Sequence, residues 1–140
     1  MALFVNSVVI DASPDEVFDY VSDLTHERDW DADCRSVERV SDTPVGVGSR
    51  WRAQWRGGGA VEVETTDFER PRSFSTHCRG SLERTMTVTV TEAQQGTRLD
   101  LAEYLVPHGA MRFILPLRER HVRRVCQDSV QRIKASVEAA

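Results

Sequence analysis

The chain has 140 residues, of which 40% are hydrophobic, so it is long enough to bury a core of its own without disulfides or a metal. Its formal net charge of −4 does not suit a nucleic-acid-binding protein, and no nucleic-acid partner is expected. No apolar run is long enough to span a bilayer and the N-terminus lacks signal-peptide features, so a cytoplasmic protein without a transmembrane segment is expected.

The N-terminal part of the chain predicts one strand followed by short helices. Residues 3–11 are rich in β-branched side chains, which predicts a strand. Ser13, Pro14 and Glu16 then combine an N-cap residue, a first-turn proline and the acidic residue of a capping box, which predicts a helix start. The apolar face of this helix is formed by Val17, Phe18, Val21 and Leu24. The acidic stretch 25–34 is compatible with a second short helix.

The middle of the chain predicts an antiparallel meander, because apolar and polar residues alternate between four candidate hairpin loops. These loops are residues 57–59, 69–72, 79–81 and 94–95. They predict the following cross-strand pairs: Trp55–Val61, Ala53–Val63 and Trp51–Thr65; Asp67–Phe74, Thr65–Thr76 and Val63–Cys78; Cys78–Leu82, Thr76–Arg84 and Phe74–Met86; Val90–Leu99, Val88–Leu101 and Met86–Glu103. Since all four hairpins leave the same face apolar, we expect that face to be covered.

The C-terminal segment predicts the one long helix. From residue 122 to residue 137, apolar and small side chains recur at three- and four-residue steps. Pro116 is expected in its first turn, with residues 111–115 as a separate or kinked lead-in. The predicted fold is therefore α+β, with a single domain of residues 1–140. In it, a curved antiparallel sheet of about six to seven strands wraps around the last helix.

This order of elements resembles the START / Bet v 1-like superfamily, which includes polyketide cyclase/dehydrase and lipid-transport proteins. The resemblance covers nearly the whole chain. It rests on Val8-Val9-Ile10-Asp11-Ala12-Ser13-Pro14-Asp15-Glu16-Val17-Phe18 with Asp23 and Trp30, on Gly46-Val47-Gly48-Ser49, on Glu69-Arg70-Pro71, on Gly96-Thr97-Arg98-Leu99, and on the terminal helix. It implies a helix-grip fold with an apolar cavity between the sheet and that helix. These are fold motifs, and function does not follow from them.

Arg84 and Glu103 are the charged residues that fall on the apolar face, on neighbouring predicted strands within a diagonal of each other. Burying either charge without a partner would be costly, so they should pair with each other, with water or with a ligand. They could orient a carbonyl, phenol or carboxylate of a ligand. Alternatively, they could form a structural ion pair, or Arg84 could lie at the rim of the sheet and extend to solvent. We expect loss of one partner to destabilise the fold more than loss of both.

The residues expected to line the cavity share the inner face of the sheet or the facing side of the last helix. They are Trp51, Trp55, Phe74, Thr76, Cys78, Leu82, Arg84, Met86, Leu101, Glu103, Leu105, Met111, His121, Val122 and Val125. Ordinary core packing is the alternative for the apolar members, and a partly exposed helix position is the alternative for His121. No cofactor or metal site is predicted, because the three cysteines are far apart and residues 29–40 lack the Gly and Glu of a calcium loop.

These features favour a protein that binds a hydrophobic small molecule, such as a lipid, an isoprenoid or an aromatic or polyketide-like compound. The alternative is a polyketide cyclase/aromatase or dehydrase-type enzyme, with Arg84 holding an enolate and Glu103 moving a proton. A third hypothesis is an interaction module that uses an exposed sheet edge and the arginine-rich start of the last helix, which would bind a partner or an anionic membrane. That cluster contains Arg112, Arg118, Arg120, Arg123 and Arg124. The oligomeric state is left open.

Overall fold

A seven-stranded antiparallel sheet curls around a long C-terminal helix in the computed structural model, which describes residues 1–140. The strands are β1 (Ala2–Ile10), β2 (Cys34–Arg39), β3 (Arg50–Trp55), β4 (Val61–Glu69), β5 (Ser73–Cys78), β6 (Leu82–Ala93) and β7 (Gly96–Pro107). The helices are α1 (Pro14–Ser22), a 3₁₀ turn (Leu24–His26), α2 (Glu27–Trp30) and α3 (Met111–Glu138). The sheet order is β1-β7-β6-β5-β4-β3-β2. The predicted α+β class and helix-grip architecture are confirmed.

The start of α1 is built as its sequence predicts. The Ser13 hydroxyl accepts a hydrogen bond from the Glu16 backbone N–H at 3.2 Å, and Pro14 occupies the first turn. The apolar face of the helix is buried through Val17, Phe18 and Val21, and Leu24, which was predicted on this face, is buried in the 3₁₀ turn that follows. The second short helix is also present, as α2. No helix is both long and apolar enough to cross a membrane.

The predicted register is correct in one hairpin and partly correct in a second. Strands β6 and β7 pair as expected through Val90–Leu99, Val88–Leu101 and Met86–Glu103. Strands β4 and β5 keep the predicted Val63–Cys78 and Thr65–Thr76 pairs, but a bulge after Thr65 places Phe68, and not Asp67, opposite Phe74.

The other two hairpins differ from the prediction by two residues. The structure pairs Ala53 with Val61, Trp51 with Val63, Cys78 with Arg84, Thr76 with Met86 and Phe74 with Val88. The β3–β4 loop is residues 56–60, longer than predicted, and the first residues of β6 extend beyond β5 and pair only with β7. Because side chains alternate with a period of two, a shift of two leaves every residue on its predicted face.

The position of Pro116 in the last helix was predicted wrongly, and residues 111–115 do not form a separate turn. Helix α3 begins at Met111, and Pro116 lies inside it, so one backbone hydrogen bond to the turn before is missing. Leu115, only 4% exposed, packs against Phe4, Leu105 and Cys126. This packing holds the segment before Pro116 against the sheet, and tertiary contact therefore overrides the local proline signal.

The core is divided into a large and a small cluster. The large cluster joins α1, the sheet and the C-terminal half of α3, and its bulkiest buried members are Trp30, Trp51, Phe18, Phe74, Ile10 and Met86. The small cluster contains Phe4, Leu105, Leu115 and Cys126 under the first half of α3. The sheet is thus filled at one end, and the other end is where space remains.

Candidate functional site

A cavity of about 260 Å³ lies between the first half of α3 and the sheet, beside the small core cluster. Its apolar wall consists of Trp55, Val61, Cys78, Leu82, Leu105, Met111, Leu115, Val122, Val125 and Cys126. Its polar groups are Asp31, Asp33, Arg84 and Glu103, with Arg56, Ser81 and Arg118 as exposed residues at the rim. Glycine-containing loops, residues 57–59 and Gly80, complete the rim. The cavity is therefore apolar along its sides and charged at one inner end.

The structure brings part of the predicted lining together in this cavity. The predicted residues that line it are Trp55, Cys78, Leu82, Arg84, Glu103, Leu105, Met111, Val122 and Val125. Five others, Trp51, Phe74, Thr76, Met86 and Leu101, point to the same side of the sheet but are buried away from the cavity, at the filled end. His121 also lies outside the lining, because its ring binds the Asp33 carboxylate at 2.9 Å at the helix edge.

Arg84 is the centre of the charged end, and its side chain is only 11% exposed. Its Nε donates to Glu103 at 3.1 Å, and its Nη2 bonds the same carboxylate. Its Nη1 donates to the Glu27 carboxylate at 3.0 Å, and Asp31 lies 4.0 Å from Nη2. One guanidinium therefore faces three carboxylates from β7 and the α2 segment. The predicted proximity of Arg84 and Glu103 is confirmed.

Trp55 connects the parts of this cluster. Its ring lies under the Arg84 guanidinium, 4.9 Å from ring centroid to Cζ, in a cation–π arrangement. Its indole N–H is shared between the Glu27 and Asp31 carboxylates, each at 3.2 Å. Cys126 of α3 donates a hydrogen bond to the second oxygen of Glu103. The charged cluster consequently ties α2, β3, β6, β7 and α3 together.

Glu27 and Asp31 were not identified from the sequence. Residues 25–34 are acidic, and acidic stretches are usually exposed, yet Glu27 is 1% and Asp31 7% exposed. The four-residue spacing of Glu27 and Asp31 around a buried Trp30 is a signal that could have placed both on one helix face. No group of His, Cys, Asp and Glu side chains here has an arrangement that would hold a metal ion.

Burial and the Arg84 charge change the acidity of these carboxyl groups. Burial raises the pKa of Glu27 to about 7, against the opposing effect of Arg84, and burial also raises the pKa of Asp31. Burial acts in the same direction on Glu103, but the Arg84 charge and the hydrogen bonds from Cys126 and Arg84 outweigh it and lower its pKa. Near neutral pH, Glu27 is thus only partly ionised, whereas the lowered pKa of Glu103 keeps that group ionised.

A family model described as polyketide cyclase / dehydrase and lipid transport matches residues 1–138 of the chain. The chain belongs to this family. The family match and the helix-grip architecture agree with the resemblance found in the sequence motifs. The amino-acid sequence matches no curated protein.

Solved structures share the fold of this family member at low sequence identity. The Zhui aromatase/cyclase from Streptomyces sp. R1128 is 14% identical, with a TM-score of 0.77 over 98% of this chain and 93% of that one. A Deinococcus radiodurans protein, DR_A0006, is 20% identical, with a TM-score of 0.70 over 99% and 98%. The di-domain ARO/CYC BexL of the BE-7585A biosynthetic pathway is 17% identical, with a TM-score of 0.70 over 99% and 50%. At these identities the likeness establishes the fold alone.

The three-carboxylate environment leads to a specific stability prediction for Arg84. Arg84→Met should lower the free energy of unfolding by about 3–5 kcal/mol, because it leaves buried carboxylates without their cation. Adding Glu103→Leu should recover only part of this loss, since Glu27 and Asp31 remain, and adding Glu27→Leu should recover more. Urea unfolding of the single, double and triple variants measures these differences.

The matched control for that series is an ion pair of similar geometry on the surface. Arg52 contacts Glu38 at 2.7 Å, but both side chains are more than half exposed, so Arg52→Met should cost less than about 1 kcal/mol. Equally small and additive effects at Arg84, Glu103 and Glu27 would contradict the assignment of a coupled buried cluster.

The raised pKa of Glu27 predicts how the free energy of unfolding depends on pH. Its pKa rises from the ordinary value of 4.5 to about 7 on folding, so between these values the folded chain holds more protons than the unfolded one. The free energy of unfolding should therefore fall as pH rises through this window, by on the order of 3 kcal/mol, and level off above it. Folding lowers the pKa of Glu103, so its contribution makes the free energy of unfolding rise with pH. This rise is confined to pH values near and below the ordinary pKa of the group.

Urea unfolding at about pH 5 and about pH 8 tests this dependence, with Glu27→Gln as the variant that should lose most of it. Glu38→Gln, which changes an exposed carboxylate, should keep the wild-type slope. An unchanged slope in Glu27→Gln would show that another group is responsible.

Proposed function

We propose that the protein binds a compact hydrophobic small molecule in the cavity between α3 and the sheet. The observation that carries this proposal is the composition of the wall, which is apolar except for one charged cluster at the inner end. Ligand sites typically combine such a wall with a few convergent polar groups that fix orientation. The family membership is consistent with this role, since its description includes lipid transport as well as cyclase and dehydrase activity.

The size of the cavity favours a compact ligand. Its volume of about 260 Å³ is near the lower end of the roughly 300–1,000 Å³ range of ligand pockets. Among the hydrophobic compounds considered, an aromatic compound of one or two rings or a short isoprenoid fits this volume better than a complete membrane lipid. Trp55, Leu105 and Val125 would contact its apolar part.

The charged end favours a neutral ligand that donates a hydrogen bond. The donors of Arg84 already serve Glu103 and Glu27, and the cluster has more carboxylates than cations. A ligand carboxylate would add another buried negative charge beside them, which is costly. A hydroxyl or phenol could instead donate to Glu103 or Asp31, both of which line the cavity.

Filling the cavity should abolish binding without unfolding the protein. Val125→Trp places a large ring in the space between α3 and the sheet and should weaken uptake of an environment-sensitive apolar dye at least about tenfold, because the apolar contact area is occupied. Gln127→Trp, on an exposed position of the same helix, is the matched control and should bind as wild type. Fluorescence titration measures both, and native mass spectrometry of protein purified from cells identifies bound molecules. Wild-type protein that takes up neither dye nor cellular ligand would refute the proposal.

A second candidate function is proton transfer on a bound carbonyl compound, as in a cyclase or dehydrase. The specific observation in its favour is Asp31, a buried carboxyl with a raised pKa that lines the cavity and shares the Trp55 N–H with Glu27. A carboxylate of raised pKa is a stronger base than an ordinary one, whereas Glu103, with its lowered pKa, is a weaker base. In this candidate, Asp31 accepts a proton from a carbon between two carbonyls, and Arg84 stabilises the enolate oxygen.

Substitutions at Asp31 should separate binding from catalysis. If the enzyme hypothesis is correct, Asp31→Asn should retain binding of a poly-β-carbonyl model compound but lower its turnover by about 100-fold or more, because the general base is lost. Arg84→Lys should also lower turnover, since a single ammonium cannot replace the bonds that the guanidinium makes. Turnover is followed by the change in ultraviolet absorbance as the compound cyclises. Equal turnover in wild type and both variants would exclude this mechanism and leave the binding function.

A further inference from the structure

The first turns of α3 carry large apolar side chains on the side that faces away from the cavity. Phe113 and Leu117 are 77% and 86% exposed, and Ile114 is 41% exposed. Their spacing of one, three and four residues places them side by side on one face of the helix, and we call these three residues the outer stripe. Exposed apolar residues are common when scattered, but a contiguous group of this size marks an interaction surface.

Arginines surround the outer stripe. Between residues 109 and 126 there are five arginines and one acidic residue, Glu119, in a protein whose formal net charge is −4. Glu119 pairs with Arg123 at 3.2 Å, and the other four arginines make no ion pair within the chain. These four are Arg112, Arg118, Arg120 and Arg124, all exposed. The local charge is thus opposite in sign to that of the protein as a whole.

The helical positions of the arginines fit a flat anionic surface. Arg120 lies seven residues after Phe113, and Arg124 lies seven residues after Leu117. Seven residues make about two helical turns, so both arginines lie on the same face of the helix as the outer stripe. Arg118 lies on the other side of the stripe, towards the cavity rim, where it approaches the Gly57 loop. An apolar stripe with cations at its borders is the arrangement by which interfacial helices bind membranes, with apolar groups in the boundary layer and cations at the lipid phosphates.

The same charges argue against a second copy of this chain as the partner that covers the outer stripe. A symmetric dimer through the outer stripe would place one arginine-rich surface opposite its own copy, and the like charges would repel. An anionic lipid surface, by contrast, complements both the apolar stripe and the arginines.

We propose that the outer stripe and its four arginines dock the protein on an anionic lipid surface. This surface goes beyond the proposed ligand function and does not depend on it, because no residue of the outer stripe lines the cavity and only Arg118 of the four arginines reaches its rim. Met111, Leu115 and Val122 of α3 line the cavity, so docking would bring one cavity wall to the membrane boundary.

Vesicle flotation tests the docking surface on the full chain. Wild-type protein should float with vesicles of phosphatidylglycerol and phosphatidylcholine but not with vesicles of phosphatidylcholine alone. Binding should weaken several-fold as salt is raised from about 0.1 M to about 1 M, because the screening length falls from about 10 Å to about 3 Å. Each of Phe113→Ser and Leu117→Ser should reduce partitioning about tenfold, and each of Arg120→Gln and Arg124→Gln about fivefold.

Matched control variants lie at the other end of the sheet. Val47 is 69% exposed in the β2–β3 connection, and Arg72 is exposed in the β4–β5 hairpin. Val47→Ser and Arg72→Gln should therefore float as wild type. All variants should keep the wild-type circular dichroism and melting temperature, since the substituted side chains are exposed. Dye uptake in the absence of vesicles should also be unchanged, which separates this surface from the cavity.

Three results would overturn the proposal. The first is wild-type protein that does not float with the anionic vesicles. The second is flotation that the stripe and arginine substitutions leave unchanged. The third is a concentration-dependent dimer in sedimentation velocity that Phe113→Ser abolishes, in protein that does not bind vesicles, which would assign the stripe to self-association.

Discussion

The buried positive charge of Arg84 requires partners, and several elements of the structure are arranged around it. Every other arginine is exposed, whereas Arg84 projects from β6 into the interior and must be matched there. Glu103 from β7 and Glu27 from α2 supply the match, with Trp55 beneath the guanidinium. Because Glu27 lies on α2 and Arg84 on β6, their ion pair holds α2 against the sheet.

The cluster also marks the boundary between the filled and the open end of the fold. On one side, Trp51, Phe74 and Met86 fill the space between the sheet and the C-terminal half of α3. On the other side, the small cluster around Leu105 and Leu115 leaves a cavity. Helix α3 therefore serves as packing surface in its second half and as cavity wall in its first.

The family membership establishes the fold, whereas the residues of the cavity bear on the function. The family match and the Zhui and BexL structures establish the fold, which hosts binding and catalysis alike. The choice between these depends on the charged end of the cavity, where three carboxylates face one cation. In that arrangement, burial raises the pKa values of Asp31 and Glu27 above those of ordinary carboxyl groups. The proposed binding function depends on the apolar wall of the cavity, and the proposed proton-transfer function depends in addition on the carboxyl group of Asp31.

The sequence by itself determined the features that depend on neighbouring residues. The capped start at Ser13 follows from a local motif, and the nearness of Arg84 to Glu103 follows from the correctly predicted β6–β7 register. The inward faces of the strands, apart from β4 after its bulge, survived the two-residue shifts of two hairpins because the strand period is two. The tertiary structure decided what depends on the path of the whole chain. It buried Glu27 and Asp31 beside Arg84, continued α3 through Pro116 by packing Leu115, and placed the cavity at one end of the sheet. Such contacts join residues far apart in the chain, and local patterns carry no information about the distance between them.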